Sequence, residues 1–123
     1  MTNRTAALDE AEISTRMAAL GDPTRRAVLH QLRGGPRTVG EIANELPVSR
    51  PAVSQHLRAL SAAGLVLDNW EGTRHYFTLN APTLLELRRY FEDMWQDAMR
   101  SFARHVEKEE TTREKSRSAK RGR

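Results

Sequence analysis

The sequence predicts a mainly α chain with one small β-hairpin. Three observations carry that expectation. Apolar residues recur at helical spacing in stretches punctuated by glycine and proline, good N-cap residues stand at the head of those stretches, and the period changes once, near residue 65, to strand-forming runs.

The elements follow in order. A first helix is expected over about 9–20: Asp9 and Glu12 suit its start, Ile13, Met17 and Leu20 share a face, and Gly21 stops it. Asp22-Pro23 opens a second, with Asp as N-cap and Pro at the first helical position, where its missing N–H costs nothing. Val28, Leu29 and Leu32 face inward, and Gly34-Gly35-Pro36 ends the helix. Thr38 and Glu41 have capping-box spacing at the head of a third helix, whose stripe is Val39, Ile42, Ala43 and Leu46. Pro47 keeps it short. Ser49 caps a fourth, lined by Val53, Leu57 and Leu60, with Gly64 where a C-terminal glycine belongs. Leu65-Val66-Leu67 and His75-Tyr76-Phe77-Thr78-Leu79 then read as two strands around a turn at Trp70-Glu71-Gly72-Thr73-Arg74, a hairpin with a polar, basic tip. A last long helix is expected from Pro82–Thr83, with capping-box spacing from Thr83 to Glu86, ending near 108 in a disordered basic tail.

The 123 residues suit one domain, and the hydrophobic share of 38% is modest. A short chain with few apolar residues leaves much of its surface exposed, so a dimer that supplies further burial is expected. There is no cysteine, hence no disulfide, no thiolate metal site and no thiol chemistry. The N-terminal MTNRTAALDEAE lacks the basic-then-apolar pattern of a secretory signal, and no apolar run is long enough to span a bilayer. A soluble, cytoplasmic protein without membrane contact is the expectation.

The net charge of +4 is uneven. Residues 111–123 hold six Lys/Arg against one Glu, and the rest of the chain is close to neutral. Within that remainder, residues 23–80 carry seven Arg and three His against four acids, while 1–22 and 81–110 are each net −2. A mild basic face therefore lies between acidic flanks.

Helices three and four are separated only by Pro47-Val48 and a cap, and a hairpin follows the second: a helix-turn-helix with a wing. If Val53, Leu57 and Leu60 face the core, the opposite face of helix four presents Arg50, Ser54, Gln55 and Arg58. Arg bonds guanine O6 and N7 bidentately, Gln does the same for adenine N6 and N7, and Ser reaches bases or phosphates. Ser49, Arg50, Pro51, Ser54 and Gln55 stand at the N-terminal part of the helix, which in recognition helices meets base edges. His56 and Arg58 are better placed for phosphates. Thr38 at the start of helix three, and Thr73, Arg74 and His75 in the wing, complete the candidate set for double-stranded DNA; the bland alternative is a solvated helix face and an exposed turn.

Ala19-Leu20-Gly21-Asp22-Pro23-Thr24-Arg25-Arg26, Val53-Ser54-Gln55-His56-Leu57-Arg58-Ala59-Leu60, Ala63-Gly64-Leu65-Val66 and Gly72-Thr73-Arg74-His75-Tyr76-Phe77 together resemble the ArsR/SmtB family of bacterial repressors, in the family's order and spacing over residues 8–102. The resemblance implies a winged helix-turn-helix homodimer that packs through its first and last helices. It also implies repression by occupying a promoter operator, with release when a signal arrives. In this scheme 8–102 is the DNA-binding and dimerisation domain, 103–110 the end of the last helix and 111–123 the tail. Metal sensors of that family often carry cysteines in a Glu-Leu-Cys-Val-Cys stretch; here it reads Glu45-Leu46-Pro47-Val48-Ser49, so no soft-metal site and no cofactor are expected. The family's other metal site needs His and carboxylates on the last helix, where Asp93, Asp97, His105 and Glu109 stand. A zinc site shared across a dimer through His105 stays open as an alternative.

Ile13, Met17, Phe91, Met94, Trp95, Met99 and Phe102 are the candidates for a dimer interface. The sharper reading of the last-helix stripe is a pocket for a small apolar effector. No nucleophile, base and orienting group come together in the sequence, so an enzyme is not expected. The rival is a winged helix that binds a protein. It would put aromatic or apolar residues on the outer face of helix four, where Arg50, Ser54, Gln55 and Arg58 stand instead.

Overall fold

A computed structural model describes residues 9–121, which form five helices and one antiparallel hairpin: α1 (Glu10–Ala19), α2 (Pro23–His30), α3 (Val39–Glu45), α4 (Arg50–Ala62), β1 (Val66–Glu71), β2 (Arg74–Leu79) and α5 (Ala81–Arg121). The chain divides into two compact units, one ending at Leu87 and the other beginning at Arg88.

The first four helices start where local chemistry favours a start. The Asp9 carboxylate accepts from the Ala11 amide at 2.9 Å, and Asp22 accepts from Thr24 and Arg25 at 2.8 and 3.0 Å. Thr38 and Glu41 form the full reciprocal capping box, at 3.2 and 2.9 Å. The Ser49 hydroxyl accepts from the Ala52 amide at 3.3 Å. Helix α4 ends in a Schellman arrangement: Gly64 takes φ +75°, its N–H reaches the Ser61 carbonyl, and the Leu65 N–H reaches Leu60. That sharp exit sends the chain directly into β1.

The core lies among α2, α3, α4 and the base of the hairpin. Val28, Leu32, Ile42, Val53, Leu57, Leu60 and Leu65 are each at most 2% exposed, and Val66 and Phe77 close the hairpin side. Val53, Leu57 and Leu60 form the inward stripe of α4, which fixes the rotation of that helix about its axis and so determines what its other face presents.

The hairpin is longer and its turn tighter than the sequence implies. Glu71 pairs with Arg74, leaving only Gly72 and Thr73 as the loop, with Gly72 at φ +62°. Trp70, Glu71 and Arg74 belong to strands, and at the polar tip the acid Glu71 stands opposite the base Arg74. A further strand residue escaped the sequence reading. Arg37 exchanges both main-chain hydrogen bonds with Phe77, at 3.1 and 2.8 Å, which ties the segment before α3 to β2.

Helix α5 departs from expectation at both ends. It opens at Ala81, and Leu84 N–H already bonds the Asn80 carbonyl. Thr83 is not a cap: it sits inside the helix, buried, while Glu86 turns to the Arg16 guanidinium at 2.8 Å. Asn80 does the anchoring, its side-chain amide donating to the Gly64 carbonyl at 2.8 Å. At the other end the helix does not stop near 108, and residues 111–121 are helical rather than a disordered tail. The stretch 103–121 contains neither Gly nor Pro and is rich in Ala, Glu, Lys and Arg, all strong helix formers. The Thr111 and Thr112 hydroxyls fold back onto the Glu107 and Lys108 carbonyls at 2.9 Å each, so neither interrupts it. No helix among the described residues is long and apolar enough to cross a membrane.

Candidate nucleic-acid interface

With its apolar stripe buried, α4 turns Arg50, Pro51, Gln55 and Arg58 to solvent and leaves Ser54 half-buried. Ser49 caps the helix, and its hydroxyl hydrogen remains free to donate outward. Thr38 is engaged in the same way at the head of α3, its oxygen accepting from Glu41. The two caps thus fix the starts of α3 and α4.

Arg50 has a specific resting place. Its guanidinium lies over the backbone of Gly40 in α3, with Nη2 3.2 Å and Cζ 3.4 Å from the point where a Cβ on residue 40 would sit. Among the described residues it has neither a hydrogen bond nor an ion pair. A planar cation with all its donors uncommitted, at the first position of an exposed helix face, suits bidentate recognition of guanine or phosphate.

His56 precedes Leu57 and, like Ser54, is half-buried; its charge acts on Asp22 at the head of α2. The Asp22 carboxyl is held below its ordinary value, first by the Arg25 amide, then by the Thr24 amide and the His56 and Arg25 charges, against some desolvation. Glu41 is likewise lowered, first by the Thr38 amide and then by the Thr38 hydroxyl and by Arg74 and Arg37.

In the wing, His75 is engaged by its neighbours. Its Nε2 lies 2.7 Å from the Asp68 carboxylate, and its ring stacks on Trp70 with centroids 4.2 Å apart and planes 9° from parallel. Phe77 flanks the same ring at 4.5 Å. Among the described residues the Arg74 side chain of the wing has no hydrogen bond or ion pair; its guanidinium lies 5.7 Å from the Tyr76 ring centre and its charge bears on Glu41. Thr73 is exposed in the turn beside it. The sequence offered no sign of the Gly40 contact or of the Arg37–Phe77 bridge, since both depend on how distant segments meet.

The other candidates divide by unit. Ile13 is 5% exposed, and Met17 packs against the core while remaining partly exposed. In the second unit Phe91, Met94, Trp95, Met99 and Phe102 are all exposed, from 39% at Met99 to 62% at Phe102. His105 pairs with Glu109 at 3.1 Å and Asp97 pairs with Arg100. Among the described residues of the single chain, no three His, Asp or Glu side chains gather as a metal site.

A family model for bacterial regulatory proteins of the arsR family matches residues 22–67, from the α2 cap to the start of the wing. The HTH-type transcriptional regulator Rv2034 of Mycobacterium tuberculosis is 46% identical over 91 residues, which cover 74% of this chain and 85% of the relative. The chain belongs to the arsR family. The transcriptional repressor SdpR of Bacillus subtilis is 41% identical over 66 residues, covering 54% of this chain and 73% of that protein. Among solved structures, an ArsR-like transcriptional regulator from Rhodococcus sp. RHA1 superimposes with a TM-score of 0.68 at 33% identity, over 76% of this chain and 88% of that one. The homodimeric winged helix-turn-helix DNA-binding domain of Mb0332 from Mycobacterium bovis, described as a possible ArsR-family regulator, gives 0.60 at 27% identity, over 80% and 91%. The arsR assignment confirms the winged helix-turn-helix fold and places the matched segment on the helices that carry Arg50, Gln55 and Arg58.

Proposed function

We propose that this chain is a transcriptional repressor of the arsR family that binds a promoter operator in duplex DNA as a homodimer, in the cytoplasm, and leaves it in response to a non-metal signal. The observation that carries the reading is the outer face of α4. Arg50, Gln55 and Arg58 are exposed on a helix whose rotation is fixed by Val53, Leu57 and Leu60, with the wing cation Arg74 nearby in the sequence's basic middle. Arg50 and Gln55 read base edges, with Ser54 beside them; Arg58, Arg74, Thr38, Ser49 and Thr73 hold phosphates. A protein-binding surface would carry aromatic anchors here, and α4 offers none on this face.

The exposed stripe on α5 supplies the second half of the proposal. Five large apolar side chains on one helix, all open in the single chain, are far more than a solvated helix tolerates, and burial against a second copy removes them from water. Two copies related by a two-fold axis read an inverted repeat with half-site centres about 34–36 Å apart, or a multiple. A small apolar effector seated against the same stripe is one form the releasing signal can take.

The test begins by recovering bound duplexes from fragmented genomic DNA and measuring affinity for the strongest against a scrambled duplex. Arg50→Ala and Gln55→Ala should each relax base preference, costing ~1–3 kcal/mol per bidentate pair. Equal loss on both duplexes would show that these side chains touch phosphate. Zinc added to the complex should leave affinity unchanged; release by zinc that His105→Ala abolishes would establish the metal-responsive alternative.

A further inference from the structure

Gly40 occupies the second position of α3, after the Thr38 cap and Val39. Its backbone is not in the left-handed region, which among the described residues is taken by Gly35, Gly64 and Gly72. No conformational demand therefore calls for glycine, which is among the poorest residues for a helix. The three nearest atoms that a Cβ would meet all belong to Arg50: Nη2 at 3.2 Å, Cζ at 3.4 Å and Nε at 3.8 Å. The missing side chain leaves a flat patch of backbone, and the Arg50 guanidinium lies on it.

We propose that Gly40 is a positioning residue that sets where the Arg50 guanidinium rests, and through it the operator preference of the protein; this rests on the base-reading role proposed above for Arg50. A Cβ at residue 40 would displace the end of a long, exposed side chain, which yields easily, so the fold loses nothing by the change. What changes is geometry. Bidentate readout tolerates errors of only about 0.5 Å, comparable with the shift that a Cβ at 3.2 Å from Nη2 forces. Arg50 also has no ion-paired carboxylate to give up when it engages a base. Specificity at this position thus depends on a residue of α3 that need never touch DNA.

The experiment uses the full-length protein, the strongest-bound genomic duplex and a scrambled duplex of equal length. Gly40→Ala, Gly40→Gln, Arg50→Ala and the double variant Gly40→Ala/Arg50→Ala are compared by affinity ratio between the two duplexes and by thermal midpoint. Gly40→Ala should keep or raise the midpoint and lower the ratio several-fold. Gly40→Gln, with a longer side chain in the same place, should lower it further, towards the roughly tenfold loss expected for Arg50→Ala. In the Arg50→Ala background the residue 40 change should do nothing more. The inference is overturned if Gly40→Ala and Gly40→Gln leave the ratio intact, if their losses add in full to that of Arg50→Ala, or if they act only by lowering the thermal midpoint. An unchanged ratio for Arg50→Ala itself would remove the base-reading role and the inference with it, an outcome distinct from the other three.

Discussion

Asp22 and Glu41 are charged groups working at the heads of their own helices, and both ionise more readily than free carboxylates because amide donors face them. For a carboxyl whose folded value lies below its unfolded one, the folded state binds fewer protons. The stability it adds is complete above the ordinary carboxylate range and is lost as pH falls through that range and below it. Asp22→Asn keeps an acceptor for the Thr24 and Arg25 amides but cannot titrate. Its thermal midpoint should therefore fall less steeply than that of the parent between neutral and acid pH; an unchanged slope would show that Asp22 adds nothing to acid sensitivity. Capping residues of this kind were legible in the sequence because each depends on neighbours two or three positions away. His56 and His75 were not. The His75 side chain bonds Asp68 and the His56 charge acts on Asp22, and a histidine's identity does not reveal which distant carboxylate lies near it.

Among the elements, α5 was the most unevenly legible. Its apolar stripe was plain from spacing, but its start was misplaced because Thr83 and Glu86 stand at capping-box spacing by coincidence of position. Tertiary partners took both: Thr83 is buried, and Glu86 meets Arg16, whose Nε also donates to the Ala63 carbonyl at 3.3 Å. Its far end was misjudged because a polar, charged composition reads as unstructured when helix propensity is set aside. The helical state of 111–121 alters what the basic charges can do, since a helix holds them at fixed spacing along one rod. Removal of 111–123 should still weaken binding to operator and scrambled duplexes by similar factors if these charges meet phosphates, which carry no sequence information. The slope of log K against log salt should flatten by about 0.9 for each phosphate that the truncated protein no longer neutralises. An unchanged slope would mark the segment as a solubility device, and a selective loss of operator binding would mean that it reads sequence.

For the whole molecule, the exposed aromatic residues of the second unit matter most. The sequence assigned both terminal helices to a dimer interface; on α1, Ile13 is buried within its own chain and Met17 is partly exposed. Helical spacing identifies an apolar face without saying whether that face meets its own core or another copy. The α5 stripe thus carries the main apolar demand for a partner. Trp95→Asp places a charge amid Phe91, Met94, Met99 and Phe102 and should shift sedimentation at micromolar concentration from dimer to monomer. Operator affinity should fall with it, since each half-site would then be held singly. A dimer that survives Trp95→Asp would place the interface elsewhere.

The pairing of Arg37 with Phe77 bears on which mutations the protein can accept. Both bonds are between main-chain groups, so every amino acid except proline can supply the amide and carbonyl that hold the wing to the segment before α3. The side chain itself adds a 3.1 Å bond to Gln31 and a charge that acts on Glu41. Position 37 should therefore look permissive in a saturation library selected for repression, with one exception. Proline has no N–H to offer the Phe77 carbonyl and should be depleted sharply there, even though proline already stands one residue earlier. Proline recovered at 37 as often as alanine would mean that the wing keeps its place without this bridge.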